Sequence, residues 1–181
     1  MKKLYIEGDN NPDLRMAFSK LLEQELKDGM PRIVMGDGKS QTIHKFMTAP
    51  KEEDEERFLL VDSDAPMENK QMLLDDIKSN HVYKNVVFEV SEENTFFMIQ
   101  EVEAWILSQP EALKERGIKK GLPLNGIEYI SKPSEKLSEI YKQNGKQYHK
   151  VREFSKIFKL LRSSELSGYS NEYKQLVERL K

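Results

Sequence analysis

An α/β fold, a parallel or mixed sheet of about five strands with helices on both faces, is predicted by three features of the chain. The first is Phe58-Leu59-Leu60-Val61-Asp62-Ser63-Asp64, an apolar run of four that ends in two carboxylates and is followed by Ala65-Pro66. A short, uninterrupted apolar run with a turn behind it reads as a strand buried on both faces. The second is Leu4-Tyr5-Ile6-Glu7-Gly8, a shorter run that also ends on an acid. The third is the alternation of such runs with amphipathic stretches, which places helices on the faces of the sheet.

Residues 3–7 form the first strand. Asp9-Asn10-Asn11-Pro12-Asp13 then supplies capping side chains and a proline suited to a first helical turn. Leu14, Phe18, Leu21, Leu22 and Leu26 recur at helical spacing, so a helix is expected over 12–28, closed by Gly29. Arg32-Ile33-Val34-Met35 is a second strand, stopped by Gly36-Asp37-Gly38. Lys39-Ser40-Gln41-Thr42 opens a helix through Ile43, Phe46 and Met47. Glycines, a lysine and hydroxyls ahead of a helix suit a phosphate contact, here from Lys39 or Ser40. They do not make a P-loop, which needs a further glycine at position 33, where this chain has Ile33.

Lys51 to Arg57 is a charge run expected to be a solvated loop. Strand three covers 57–62, and a helix with Met72, Leu73 and Ile77 on its apolar side covers 67–79. Asn85 to Val90 reads as a fourth strand and Thr95 to Ile99 as a fifth, with a helix from Gln100 directly after it. Beyond Leu107 the chain turns helical and basic: a short helix at Gln109-Pro110-Glu111, a loop over 117–133, and helices at Ser134–Lys142, 151–162 and 170–180. The chain reads as one domain, with a core over 1–108 and a helical extension over 109–181 packed on it.

Composition excludes several classes. With no cysteine there are no disulfides and no thiolate metal sites. No apolar stretch of about 18 residues is present, and Met1-Lys2-Lys3 leads into a strand rather than a leader, so a cytoplasmic protein with no membrane partner is expected. Net charge is −2, but it is divided. Residues 1–113 carry 13 Lys and Arg against 23 Asp and Glu, and residues 114–181 carry 16 against 8. An acidic half able to hold a cation is joined to a basic half able to hold phosphates.

The chemistry is expected at the strand ends, because ligands of open α/β sheets bind outside the carboxyl ends of the strands. Asp62 and Asp64 are spaced i, i+2, which along a strand points both to one side. Two carboxylates so placed repel unless a proton or a cation lies between them, and a hard divalent cation such as Mg2+ suits an all-oxygen site. Glu101 and Glu103 sit at another strand's end, where a first helical turn also favours acids. Trp105 falls in an apolar run and reads as core. His44 and His81 lack ligand spacing for zinc, and His149 beside Lys150 reads as a surface pair.

A strand ending in Glu7-Gly8 and a later one ending in Asp62-Ser63-Asp64 resemble the Toprim domain of topoisomerases, primases and nucleases of the overcoming-lysogenisation-defect type. Pro31-Arg32-Ile33-Val34, Leu60 to Pro66, Met98-Ile99-Gln100 with Glu103-Ala104-Trp105, and Tyr148-x-Lys150 follow in order. Together they are similar to a Toprim-related bacterial family of unknown function, often encoded beside an ATPase in defence-type loci. The resemblance implies a Toprim-like, Rossmann-like sheet and a Mg2+- or Mn2+-dependent phosphodiester hydrolase acting on DNA or RNA. It implies Glu7 as general acid/base or metal ligand, Asp62 and Asp64 as metal ligands, Glu103 completing the cluster, and Lys150 on a phosphate. Lys39, Ser40, Lys146, Lys150 and Arg152 would hold the nucleic-acid backbone. Two departures stand out. Asn11 occupies the place where many lysogenisation-defect nucleases carry a second acid, and Asp64 stands where the family shows Glu. Two rival classes share these residues: a partner-activated subunit of a neighbouring ATPase, and a phosphoesterase for small molecules.

Overall fold

The computed structural model describes residues 1–181, save the side chain of Val151. Its centre is a parallel sheet of β1 (Lys2–Ile6), β2 (Arg32–Met35), β3 (Glu56–Asp62) and β4 (Thr95–Met98), in the order β2-β1-β3-β4. Tyr5 lies opposite Val34 on one side and Leu59 on the other, and Leu60 lies opposite Phe96. The chain winds outward from β1 to β2, then crosses back over β1 to β3 and β4. The winding therefore reverses between β1 and β3, and the connections leaving their carboxyl ends turn to opposite faces, which opens a crevice there.

Period-two alternation distributes the strand side chains to two cores. Leu4, Ile6, Phe58, Leu60, Phe96 and Met98 face α1 (Pro12–Glu23) and the C-terminal helices. Tyr5, Leu59, Val61 and Phe97 face α2 (Lys39–Thr48) and α3 (Lys70–Asn80). Helices thus cover both faces, as the continuous apolar strands require. The C-terminal half adds α4 (Glu103–Leu107), α5 (Pro110–Glu115), α6 (Pro133–Gln143), α7 (Lys150–Phe158), α8 (Ser163–Tyr169) and α9 (Asn171–Leu180). Trp105 of α4 is 0% exposed and meets Phe18, Phe158 and Tyr173 ring to ring, so α1, α7 and α9 close on one aromatic centre. No described helix is long and apolar enough to cross a membrane.

Several local expectations are corrected. Asn85 to Val90 is not a strand. Val86 and Val87 are exposed, and the N–H groups of Val87 and Phe88 donate to the Met47 carbonyl, which ties the segment to the end of α2 instead of a sheet. The first helix stops at Glu23, because Gln24 turns its side chain to the Leu161 carbonyl and the Ser163 N–H. Met72 is exposed and Leu74 is buried in its place on α3. The run 51–57 is not all solvated: Glu55 and Arg57 are buried and ion-paired. The helix expected over 151–162 ends at Phe158, and α8 follows it where no helix was expected.

β4 is an edge strand, yet its free side is not open. Glu172 of α9 reaches over, accepts a hydrogen bond from Phe97 N–H at 3.1 Å, and pairs with Lys70 at 3.1 Å.

Candidate functional site

Glu7 and Asp62 meet at the crevice between β1 and β3. Glu7 N–H donates to the Leu60 carbonyl at 2.9 Å, continuing the ladder one residue past β1. The Glu7 carboxylate then turns back and accepts from Asp62 N–H at 2.9 Å. Gly8 makes the exit possible. Its φ is +148°, and a Cβ there would stand 2.9 Å from Leu14 Cδ2. Asp62 in turn accepts from Val102 N–H at 3.0 Å, which draws the segment after β4 over the strand ends.

Asp64 arrives by a different route than a strand. β3 ends at Asp62, and Asp64 has a left-handed φ of 58° that suits Asp better than most residues. Its N–H donates to the Gln100 carbonyl at 2.9 Å, and its carboxylate is 2.6 Å from Lys39 Nζ in the first turn of α2. The i, i+2 argument from strand geometry therefore does not apply, although Asp64 stays close enough to raise the proton affinity of Asp62. Glu101 is engaged structurally: its carboxylate caps α6 by accepting from Ser134 N–H at 2.7 Å. Glu103 is 0% exposed, and neither of its carboxylate oxygens accepts a hydrogen bond among the described residues. Lys150 Nζ lies 3.0 Å from one of them, aligned as an ion pair rather than a hydrogen bond.

The electrostatics follow from this packing. Burial raises the pKa of Asp62 well above the usual carboxylate range, and the charges of Glu7, Glu103 and Asp64 raise it further. Burial also raises Glu7, against the Asp62 N–H and Lys39, and raises Glu103, against Lys150. Burial alone would lower Lys150, but Glu103, Asp62 and Glu101 outweigh it and hold its pKa above the usual value. A cleft of about 190 Å³ opens here, lined by Glu7, Gly8, Asp62, Val102, Lys150 and Phe154, among others.

Of the residues expected from sequence, Glu7, Asp62, Asp64, Glu103, Lys39 and Lys150 are brought together. Ser40, Lys146 and Arg152 are exposed and do not line the cleft; Lys146 donates to the Arg116 carbonyl at 2.6 Å. Asn11 does line it, but its side chain caps α1 through Asp13 N–H. Among the described residues, no three Asp, Glu or His side chains are gathered closely enough to enclose a metal ion as they stand. Tyr148 was missed as a site residue. Its hydroxyl is buried without a hydrogen-bond partner, and burial together with the charge of Glu103 raises its pKa. The available signal was its place two residues before Lys150.

No curated protein and no solved structure matches this chain. Residues 13–181 match a family described as a domain of unknown function, and that stretch contains Asp62, Asp64, Glu103 and Lys150 while beginning after Glu7. With the match running from residue 13 to the last residue, the chain belongs to that family, DUF4276.

Proposed function

We propose that the chain is a metal-dependent phosphodiester hydrolase acting on nucleic acid, related to Toprim nucleases. The observation that carries this reading is the pair Glu7 and Asp62. They end neighbouring strands at the reversal point of the sheet, and burial raises the proton affinity of both. Clustered, perturbed acids in a cleft mark functional sites more often than structural ones. The donor set also fits a hard cation. It is all carboxylate, and Glu7 and Asp62 each bond the protein through one oxygen. Glu7, Asp62 and Asp64 would hold the ion, with Glu103 beside them, once the three carboxylates drew closer together than they stand.

Bound there, Mg2+ or Mn2+ would stabilise charge developing on a phosphate oxygen. Glu7, with its raised pKa, is suited to take a proton from an attacking water or return one to the leaving oxygen. Lys150 brings a fixed positive charge to the cleft and would contact the phosphate.

The test is nicking of supercoiled plasmid with Mg2+ or Mn2+, beside Asp62→Asn and an EDTA control. Asp62→Asn keeps an oxygen for Val102 N–H and removes the charge. Nicking that needs metal and is lost in the variant is expected; nicking that survives in Asp62→Asn would sink the mechanism. In parallel, the divalent ion should raise the melting temperature of the wild type, by about 2.7 kcal/mol of stability at a hundredfold excess over Kd, and not that of the variant.

One observation favours a second reading, a subunit activated by a partner such as a neighbouring ATPase. Asp64 is held by Lys39 and Glu103 by Lys150, so two of the four acids are occupied by internal cations. Metal binding without nicking, with nicking restored by the partner, would select it.

A further inference from the structure

Next to the cleft the chain builds a second charged feature. Lys119 N–H and Lys120 N–H both donate to the Asn144 side-chain oxygen at 2.9 Å, and the Asn144 amide donates back to the Lys120 carbonyl at 3.0 Å. Lys146 Nζ donates to the Arg116 carbonyl at 2.6 Å. These bonds tie the loop after α5 to the turn after α6 and bring Lys119, Lys120 and Lys146 to the end of α6 that carries Lys142; all four are exposed. Most lysines elsewhere in this half are neutralised, Lys114 by Glu111, Lys132 by Glu135, Lys136 by Glu139 and Lys156 by Glu153, while Lys174 on α9 stands apart from the patch. Among the described residues, the four lysines are in no ion pair; the acid nearest them in the chain, Glu139, three residues before Lys142, is paired with Lys136. Uncompensated like charges repel one another, so such a patch suits a polyanion.

Its position points to the cleft. Lys146 is four residues from Lys150, a reach of at most about 14 Å. Arg116 pairs at 3.0 Å with Glu153 on α7, the helix that carries Lys150 and Phe154. The same connection between α5 and α6 also presents Tyr129, which is 80% exposed. It is the one large apolar side chain so exposed in residues 114–181 among the described residues. The carbonyl of its neighbour Glu128 accepts from the Gln100 side chain at 2.9 Å, and the Gln100 carbonyl holds Asp64 N–H. The lysines gather at the C-terminal end of α6 and Tyr129 lies toward its N-terminal end, about 16 Å along the helix, a span of a few nucleotides. An exposed ring and unpaired cations along one such path suit a single strand, where bases stack on aromatics while the backbone meets ammonium groups. An anionic membrane would call for several exposed apolar side chains to insert, and the patch offers Tyr129 alone.

We propose that Lys119, Lys120, Lys142 and Lys146, with Tyr129 as a stacking platform, bind a single-stranded nucleic acid and lead it to Lys150 and the acids. The direction of this path rests on the hydrolase reading; the binding does not. The test is fluorescence anisotropy with a labelled single-stranded oligonucleotide in EDTA, across a salt series, beside its duplex and beside sedimentation with phosphatidylserine vesicles.

The wild type should bind the single strand more tightly than the duplex. Lys119→Ala/Lys120→Ala/Lys142→Ala should flatten the slope of log K against log salt by about 2, from roughly 0.7 per lost contact. Tyr129→Ala should weaken single-strand binding about tenfold and leave the slope unchanged. All these side chains are exposed, and equal melting temperatures would confirm intact folds. An unchanged slope in the triple variant, equal affinity for duplex with no effect of Tyr129→Ala, or binding to vesicles but not oligonucleotides would each overturn the proposal. Plasmid nicking distinguishes the two readings. Nicking with an unchanged salt slope would remove the patch and keep the hydrolase. Binding through the patch without metal-dependent nicking would do the reverse.

Discussion

The two ends of the sheet both bury charge, and they treat it in opposite ways. At the amino end Lys3, Glu55 and Arg57 are 5%, 4% and 2% exposed. Glu55 accepts from Lys3, from Arg57 and from Glu52 N–H. The Arg57 guanidinium also donates to the Phe46 and Pro50 carbonyls at 2.9 and 2.6 Å and lies 4.4 Å from the Phe88 ring centre. Burial would raise the Glu55 pKa, but these partners outweigh it and hold it at about 2. At the carboxyl end the acids outnumber their partners, and Glu7, Asp62 and Glu103 are all raised. Buried charge alone therefore does not mark a site. The count of partners separates a closed structural network from one with capacity left for a ligand.

Arg57→Met should break the contrast most strongly. It leaves Glu55 buried with one fewer cation and should cost about 3–5 kcal/mol in urea unfolding. A loss under about 1 kcal/mol would show that the amino end is no more closed than the other. Asp62→Asn should act in the opposite direction, raising the melting temperature near neutral pH, and the pH dependence gives the sign. Glu55 has a depressed pKa, so its contribution is present above the ordinary glutamate range and is lost as pH falls through about 2. Asp62 has a raised pKa, so its contribution is present below the ordinary aspartate range and is lost as pH rises through the raised value. Wild-type melting should fall over that upper window, and Asp62→Asn should flatten the fall. A variant that melts below the wild type at neutral pH would show that Asp62 supports the fold. The smallest effect is expected from Glu52→Ala. Glu52 is 51% exposed on its side chain where it meets Lys3, and its loss should cost less than about 1 kcal/mol.

The parts of this arrangement that sequence disclosed are those with local signals. Phe58 to Val61 reads as a doubly buried strand, and Gly8 after Glu7 as a sharp strand exit. Val86, Val87 and Phe88 offered a similar apolar run and failed, because bonds from Val87 and Phe88 N–H to the Met47 carbonyl, remote in sequence, decided their place. Asp64 was assigned to the right neighbourhood for a wrong reason: the strand ends two residues earlier, and Lys39 and Gln100 position it. The charge of Glu55 looked solvated because nothing local says that Lys3, 52 residues away, closes over it and that Phe46 holds Arg57 beside it. Tyr148 and Glu103 come together only through the return of the chain after α6. Partners far apart in sequence, rather than propensity, fixed all of these.

Glu172 gives the sheet a direction of growth. By occupying Phe97 N–H it takes a ladder donor that an added strand would need on the β4 side. Recruitment of a strand from another chain, whether in assembly or in aggregation, is therefore steered to the opposite margin, along Arg32–Met35. That margin is only four residues long and is preceded by Pro31, so it offers a short template with a proline at its entrance.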